Sequence, residues 1–201
     1  VNMEDVDWVA GKLNNCLLFD GVNEYVDCGD IANFERTDLF SIECWIKTSI
    51  GTTQVICSRV NYTTDQGWQL ITNNNKIRVY LMGSVTNRII VETNTAINDG
   101  SWHHVIVTYD GSSLSNGVTI YLDNNTNNTI IQNNLSLTIL NTGSCQITGG
   151  SGALYPIGVK GSERSRILTT KHFISVKSRG NVSLAMSRCA KNVSTPLTLK
   201  P

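Results

Sequence analysis

Short apolar runs alternate with Gly, Asn and Asp along roughly the first 160 residues of this chain, at a spacing of about 8 to 12 residues. This spacing is typical of an all-β protein, because each run has the length of a strand and each interruption has turn-forming residues. No stretch there keeps a helical period, so helix should be scarce. The pattern predicts strands at 15–19, 24–28, 40–47, 54–59, 67–72, 76–81, 87–93, 102–109, 117–123 and 128–132, with weaker signals at 136–140 and 145–148.

Alternation within these strands predicts which side chains face the core, since successive strand residues point to opposite sides of a sheet. The stretch 102–109 is apolar on both faces, which predicts a central strand. The three asparagines at 73–75 predict a hairpin loop between the strands on either side. The predicted core set is Ile42, Cys44, Ile46, Ile77, Val79, Leu81, Val118, Ile120 and Leu122.

Three segments follow one another in a recognisable order. The first, 11–27, contains Leu-Leu-Phe-Asp-Gly followed by Tyr-Val, and the second is Phe-Ser-Ile-Glu-Cys-Trp-Ile-Lys at 40–47. The third begins with Trp-His-His-Val at 102–105 and continues to Val-Thr-Ile-Tyr-Leu-Asp at 118–123. Together they resemble the laminin G-like domains over about residues 8 to 155. The resemblance implies an all-β fold, a two-sheet antiparallel β-sandwich of the concanavalin A-like jelly-roll kind.

The end of the chain departs from that family pattern. Members usually close with a strand of the type GxIDEVRIY beside the first strand, and nothing after Tyr155 matches it. We therefore expect a sandwich at 1–156 and a separate basic segment at 157–201. Either the stretch 166–177 supplies a substitute strand, or the last residues form a divergent tail with little order.

The formal net charge of zero hides an asymmetry between these two parts. Residues 1–156 hold 7 basic and 15 acidic side chains, whereas residues 157–201 hold 9 basic and 1 acidic. The basic residues are scattered singly without interleaved aromatics, so nucleic acid is not expected as a partner. No apolar run approaches the roughly 20 residues that a membrane helix needs, so membrane insertion is not expected either.

Candidate catalytic groups are few. Neighbouring strand residues point to opposite faces, so His103 and His104 should not bind one metal ion together. Glucanases that share the sandwich place two carboxylates about 5 Å apart, typically with an ExDxxE spacing that this sequence lacks. The chain is therefore predicted not to be an enzyme. The resemblance implies a Ca²⁺ site with Asp20 and Asn23 as ligands, although the same residues suit a tight turn alone.

The six cysteines lack the regular spacing of a disulfide scaffold, so mostly free thiols are expected. A Cys16–Cys28 disulfide across the first predicted hairpin is the leading exception. A sugar site would need an exposed aromatic ring with polar neighbours. The four tryptophans are expected to be packing residues, which leaves Tyr62 and Tyr155 as candidate sugar-binding residues.

These observations favour a non-catalytic, extracellular or surface-exposed binding or adhesion module whose ligand is a glycan or a protein. The alternative is a structural subunit of a surface layer, fibre or virion that uses the sandwich for assembly contacts, and this second function would require a homo-oligomer. Fold analogy supports the first function without identifying a ligand.

Overall fold

A computed structural model describes residues 8–13, 15–19, 21, 24–148, 153–155, 157–161, 176–177 and 183–184; for Trp8 and for the strands after residue 148 the description covers the backbone alone. The strands are β1 (Trp8–Ala10), β2 (Asn15–Phe19), β3 (Tyr25–Asp27), β4 (Phe40–Lys47), β5 (Gln54–Asn61), β6 (Gln66–Asn73), β7 (Lys76–Met82), β8 (Arg88–Ala96), β9 (Trp102–Tyr109), β10 (Val118–Leu122), β11 (Asn128–Asn134), β12 (Gln146–Thr148), β13 (Ala153–Tyr155), β14 (Ile157–Gly161), β15 (Val176–Lys177) and β16 (Ser183–Leu184). One 3₁₀ turn, Ser115–Gly117, precedes β10. No helix among the described residues has the length and apolar character to cross a membrane.

Two antiparallel sheets form the sandwich. Sheet A has the order β1-β2-β13-β4-β9-β10, with β14 also paired to β4, and sheet B has the order β11-β8-β7-β6-β5-β12-β3. All the pairings are antiparallel, including a separate two-stranded pair of β15 and β16. The predicted fold class, an antiparallel sandwich of the jelly-roll kind, is confirmed.

The core lies between the inner faces of the two sheets, and the alternation within the strands accounts for it. In β4 the burial alternates strictly along all eight residues, with Ile42 1% and Ile46 0% exposed. Every member of the predicted core set is buried. Strand β9 lies between β4 and β10, so the predicted central position is also confirmed.

The predicted hairpin at 73–75 joins β6 to β7 through a two-residue turn. Asn74 and Asn75 have φ values of 47° and 70°, the left-handed conformation that short hairpin turns require and that asparagine tolerates better than most residues. This local chemistry sets the register in which Asn73 faces Lys76.

The first predicted hairpin is wrong. Strand β2 lies in sheet A and β3 in sheet B, so the chain crosses between the sheets instead of folding back on itself. Cys16 therefore faces Val9 of β1, while Cys28 follows β3 in the other sheet. The Cys16–Cys28 disulfide, the leading exception to free thiols, is therefore ruled out, and the five cysteines of the described residues are buried and not bonded to one another in this structure.

The weak strand expected at 136–140 is also wrong, because side chains satisfy the backbone there in place of a partner strand. The Asn87 Oδ1 accepts hydrogen bonds from the N–H groups of Ser136 and Leu137, at 2.9 and 2.8 Å. Glu35 accepts from the N–H of Ile139 at 3.2 Å and from the hydroxyl of Thr138. The segment is an irregular loop whose Ile139 remains fully buried.

The two strands that follow β12 belong to sheet A. Strand β13 pairs with β2 and touches β4, and β14 pairs with β4 from Ile157 opposite Cys44 to Gly161 opposite Phe40. Strand β14 thus precedes the stretch 166–177, the predicted alternative for a substitute closing strand. Of that stretch the structure describes only β15, which pairs with β16; the rest lies outside the described residues. The division at residue 156 stays a prediction.

Candidate functional site

A cleft of about 260 Å³ opens between the two sheets at the end where β8 and β10 finish. Its lining comes from the end of β8, the end of β10 and the loop that leads to β11: Thr93, Thr95, Leu122, Asp123, Asn125 and Asn127. The sheet registers explain this meeting. Asn128 faces Thr93 across the β11–β8 pair, and Leu122 faces Val105 across the β10–β9 pair.

The cleft has a buried floor and an exposed polar rim. Thr93 and Leu122 form the floor, at 2% and 6% exposure. Thr95, Asp123, Asn125 and Asn127 are exposed. The rim therefore offers hydroxyl, carboxylate and amide groups around a small apolar patch.

A tight turn fixes the position of Asp123. Asp123 and Asn124 have φ values of 50° and 68°, and Leu122 and Asn125 exchange two backbone hydrogen bonds of 2.9 Å across them. The Asp123 Oδ1 also accepts the backbone N–H of His104 at 2.8 Å. These bonds orient the carboxylate before any ligand arrives.

His103 connects this carboxylate to a second one. The Asp123 Oδ2 lies 2.7 Å from His103 Nδ1, and the Asp99 Oδ1 lies 3.0 Å from His103 Nε2. Burial opposes a charge on the ring, but the hydrogen bonds to Asp123 and Asp99 outweigh it and raise the pKa of His103 above its ordinary value. Hydrogen bonds from the Ser101 backbone and from His103 lower the pKa of Asp99. The three groups form a carboxylate–imidazole–carboxylate chain beside the cleft.

His104 points to the other side of sheet A, as period two requires. Its ring stacks on Trp45 at a centroid distance of 4.7 Å, and its Nε2 lies 3.1 Å from a Glu43 carboxylate oxygen. The Lys12 ammonium lies 5.3 Å from the centre of the Trp45 ring. Trp45 is half-buried on this outer surface, whereas Trp68 is a core residue at 1% exposure.

Among the residues expected to bind ligands, Tyr62 alone has a side chain that the structure describes. Tyr62 follows β5 in the turn to β6 and is 65% exposed, at the opposite end of sheet B from the cleft. Tyr155 faces Leu17 in the backbone register of sheet A, and its side chain lies outside the described part. The expected Ca²⁺ ligands Asp20 and Asn23 also lie outside the described residues. Within the described ranges, no group of three or more His, Cys, Asp or Glu residues could hold a metal ion.

Sequence reasoning missed the cleft, although one signal pointed toward it. The Asn-rich stretch 124–129 follows a strand that ends in Leu-Asp, so a polar turn at a sheet end could be expected there. The sequence carries no comparable signal that Thr93 and Thr95 lie next to this turn, because that proximity depends on the pairing of β8 with β11.

The family model of laminin G-like domains described as the concanavalin A-like lectin/glucanases superfamily matches residues 20–162. No curated protein sequence matches this chain.

Among solved structures, the binding domain of Paraclostridial Mosquitocidal Protein 1 is similar, with a TM-score of 0.61 at 15% identity over 79% of this chain and 42% of that chain. The botulinum neurotoxin D receptor binding domain gives a TM-score of 0.54 at 14% identity, over 80% of this chain and 43% of that chain. The botulinum neurotoxin serotype G binding domain gives 0.53 at 16% identity, over 74% and 39%. The chain spans less than half of each of these proteins, and the likeness shows a shared fold.

Proposed function

We propose that this chain, which belongs to the concanavalin A-like lectin/glucanases superfamily, is a non-catalytic glycan-binding module. The observation that carries the proposal is the cleft at the ends of β8 and β10, with its buried floor and its rim of hydroxyl, amide and carboxylate groups. The names of the similar structures, which are binding domains of toxins, support a binding role over a catalytic one.

The chemistry of the rim suits a neutral sugar. Adjacent sugar hydroxyls both donate and accept hydrogen bonds, and they can pair with a carboxylate and a primary amide held side by side. The apolar face of the ring can lie on the Leu122 side of the cleft. Because the turn and His103 already orient Asp123, little conformational entropy is lost on binding at this residue.

The carboxylates next to the cleft are arranged for binding and not for hydrolysis. A sandwich glucanase needs one carboxylic acid that gives up a proton and one carboxylate that attacks. Here Asp99 and Asp123 both contact the same imidazole ring, and the hydrogen bonds from the Ser101 backbone and from His103 lower the pKa of Asp99. The usual proton donor is an acid with a raised pKa, so Asp99 with its lowered pKa does not suit that role.

The test is a glycan array followed by titration calorimetry with the best-bound oligosaccharide. Asn125→Ala removes one exposed amide from the rim and should weaken binding by about tenfold, the equivalent of one lost hydrogen bond to a polar ligand. Asp123→Asn keeps the shape of the side chain and should weaken binding at least as much.

Two control variants decide what a loss of binding means. Thr119→Ala lies on the same strand as Leu122 but points to the outer face of sheet A, and Tyr62→Ala lies at the far end of the sandwich. Both should bind like the wild type. Full binding by Asn125→Ala together with loss in Tyr62→Ala would overturn the proposed site and return the ligand to the residue expected from sequence.

A second candidate function, a structural subunit, rests on the edge strand β11. Ile130 and Ile131 are 52% and 48% exposed there, and the strand sequence Asn-Thr-Ile-Ile-Gln-Asn-Asn carries no charge. Uncharged apolar edges can pair with another chain. Sedimentation of the chain at micromolar concentration tests this function: a large assembly that Ile131→Lys dissolves would favour it, and a monomer would exclude it at that concentration.

An exposed position outside the cell or on a particle surface fits this proposal, since a glycan-binding module needs access to glycans there. The Ca²⁺ site that the family resemblance implies at Asp20 and Asn23 stays a proposal. Running the glycan array with Ca²⁺ and again with a chelator tests whether binding requires the ion. Unchanged binding in the chelator would remove the ion from the binding function.

A further inference from the structure

Cys28 and Cys145 adjoin each other at the end of the β3–β12 pair in sheet B. The β3–β12 register pairs Asp27 with Gln146 and Val26 with Ile147, and its next step brings Cys28 opposite Cys145. Two backbone hydrogen bonds hold Cys145 against Cys28 and the next residue: the Cys28 N–H donates to the Cys145 carbonyl at 2.8 Å, and the Cys145 N–H donates to the Gly29 carbonyl at 2.9 Å. Opposed antiparallel residues have Cα separations of about 4.5 to 5.5 Å, inside the range that a disulfide spans.

Both side chains point into the core and meet there. Cys28 is 3% and Cys145 0% exposed, and both belong to the central hydrophobic cluster. The interaction with the Cys145 thiol raises the pKa of Cys28 far above its ordinary value, and burial is the second cause of this shift. A thiol in this environment is a poor nucleophile, so the folded sandwich should protect the pair from reaction.

We propose that Cys28 and Cys145 are a disulfide site, oxidised by a glutathione-type disulfide while the chain folds, and that the bond clamps the edge strand β3 to β12. The inference is argued from the adjoining positions and the backbone bonds; it is independent of the glycan site, but its oxidising compartment rests on the proposed position outside the cell. An extracellular chain passes through an oxidising compartment while it folds, where such a bond forms and persists.

The chemistry balances as two exchange steps. One cysteine thiolate attacks a sulfur of the oxidised glutathione, which forms a mixed disulfide and releases one glutathione thiolate. The second cysteine thiolate then attacks the mixed disulfide, which closes the protein disulfide and releases the second glutathione. The two cysteine protons end on the two glutathione thiols, so two protein thiols are oxidised and one glutathione disulfide is reduced.

The other described cysteines are placed less well for this bond. Cys57 faces Ile147, which lies two residues away from Cys145 in the chain. Cys16 and Cys44 lie in sheet A, across the core. The geometry therefore selects one pair, and this selectivity is what an experiment can measure.

The experiment refolds the full reduced chain with oxidised and reduced glutathione, blocks remaining thiols with iodoacetamide, and maps linked peptides by mass spectrometry. We expect one dominant linked pair that contains Cys28 and Cys145, and a mass lower by two hydrogen atoms before alkylation. Mapping of the wild type answers the question even if a cysteine variant fails to fold. Scrambled pairs, or complete alkylation of both residues after oxidative refolding, would overturn the proposal.

Stability gives a second readout with a matched control. The disulfide would close a loop of roughly 100 residues, and a loop of this length should raise the melting temperature by roughly 10 °C over that of the reduced protein. Cys57→Ser, which removes a neighbouring core thiol, should keep this difference, whereas Cys145→Ser should abolish it. Oxidant added to the already folded reduced protein should act at least tenfold more slowly than during refolding, because the thiols are buried. An equal rate would contradict the protected position.

Discussion

Gly67 lies at a point where two strands of sheet B come too close for any side chain, and its replacement by alanine tests the packing of that sheet. Its φ of +135° is one that L-residues rarely adopt. A Cβ built on Gly67 would lie 1.9 Å from the Arg59 carbonyl oxygen and 2.7 Å from the Asn141 Nδ2. The first contact is with backbone, so rotation of a side chain cannot relieve it.

Movement of β5 would disturb a buried guanidinium group. Arg59 is 1% exposed and donates to the carbonyls of Ile31 and Asn141, each at 2.9 Å, and to Asp30 at 2.8 Å. Backbone strain at Gly67 contributes about 1–3 kcal/mol. Weakened bonds to a buried charge add roughly 2–3 kcal/mol. Gly67→Ala should therefore lower the free energy of unfolding by about 4 kcal/mol.

Gly100→Ala is the matched control. Gly100 also has a positive φ, of +74°, but a Cβ there meets nothing within 4 Å. Strain alone should cost about 1 kcal/mol. Urea denaturation monitored by tryptophan fluorescence measures the free energy of unfolding of both variants, which should differ by about 3 kcal/mol. If the two variants lose the same stability, the close approach of Gly67 to β5 does not exist in solution.

Three further predictions concern side chains that hold single elements. The pKa of His103 is raised in the folded state, so its protonation stabilises the fold fully below the ordinary pKa of 6.5 and less as the pH rises through the folded pKa. The difference in free energy of unfolding between the wild type and His103→Gln, measured by urea titration, should therefore be large near pH 5 and small near pH 9. The Asn128 amide bonds both the N–H and the C=O of Ile120, at 2.9 Å each, so Asn128→Ala should cost about 1–2 kcal/mol in the same assay. Asn87→Ala should expose the loop after β11 to limited proteolysis at least tenfold faster, since two of its backbone N–H groups lose their acceptor.

Local chemistry made much of this fold predictable. Alternation identified the core faces of β4, β7 and β10, and the asparagines at 73–75 identified a hairpin, because each signal is carried by neighbouring residues. The errors concern partners that are distant in the chain. Nothing in the first signature segment shows that β2 and β3 belong to different sheets, and nothing near 136–140 shows that Asn87 will satisfy its backbone.

The same distinction explains why the candidate site was missed. An aromatic residue can be identified as a candidate from its own place in the sequence, whereas the cleft consists of small polar residues that only the sheet registers bring together. Thr93 and Asn127 are far apart in the chain but border one cavity because β11 pairs with β8. A site of this kind follows from topology, so a sequence pattern can indicate its parts but not their meeting.

The edges of the sandwich help to decide between the two candidate functions. Strand β10 is an edge of sheet A, and the side chain of Asn128 already occupies the hydrogen-bonding groups of Ile120 in the place that a partner strand would need. Strand β11 is the exposed edge of sheet B, but its register shifts between Ile130 and Gln132. A bulge of this kind interrupts the regular ladder on which an added strand depends. Both edges next to the cleft are therefore poorly suited to strand addition, which favours glycan binding over assembly as the function of this end of the sandwich.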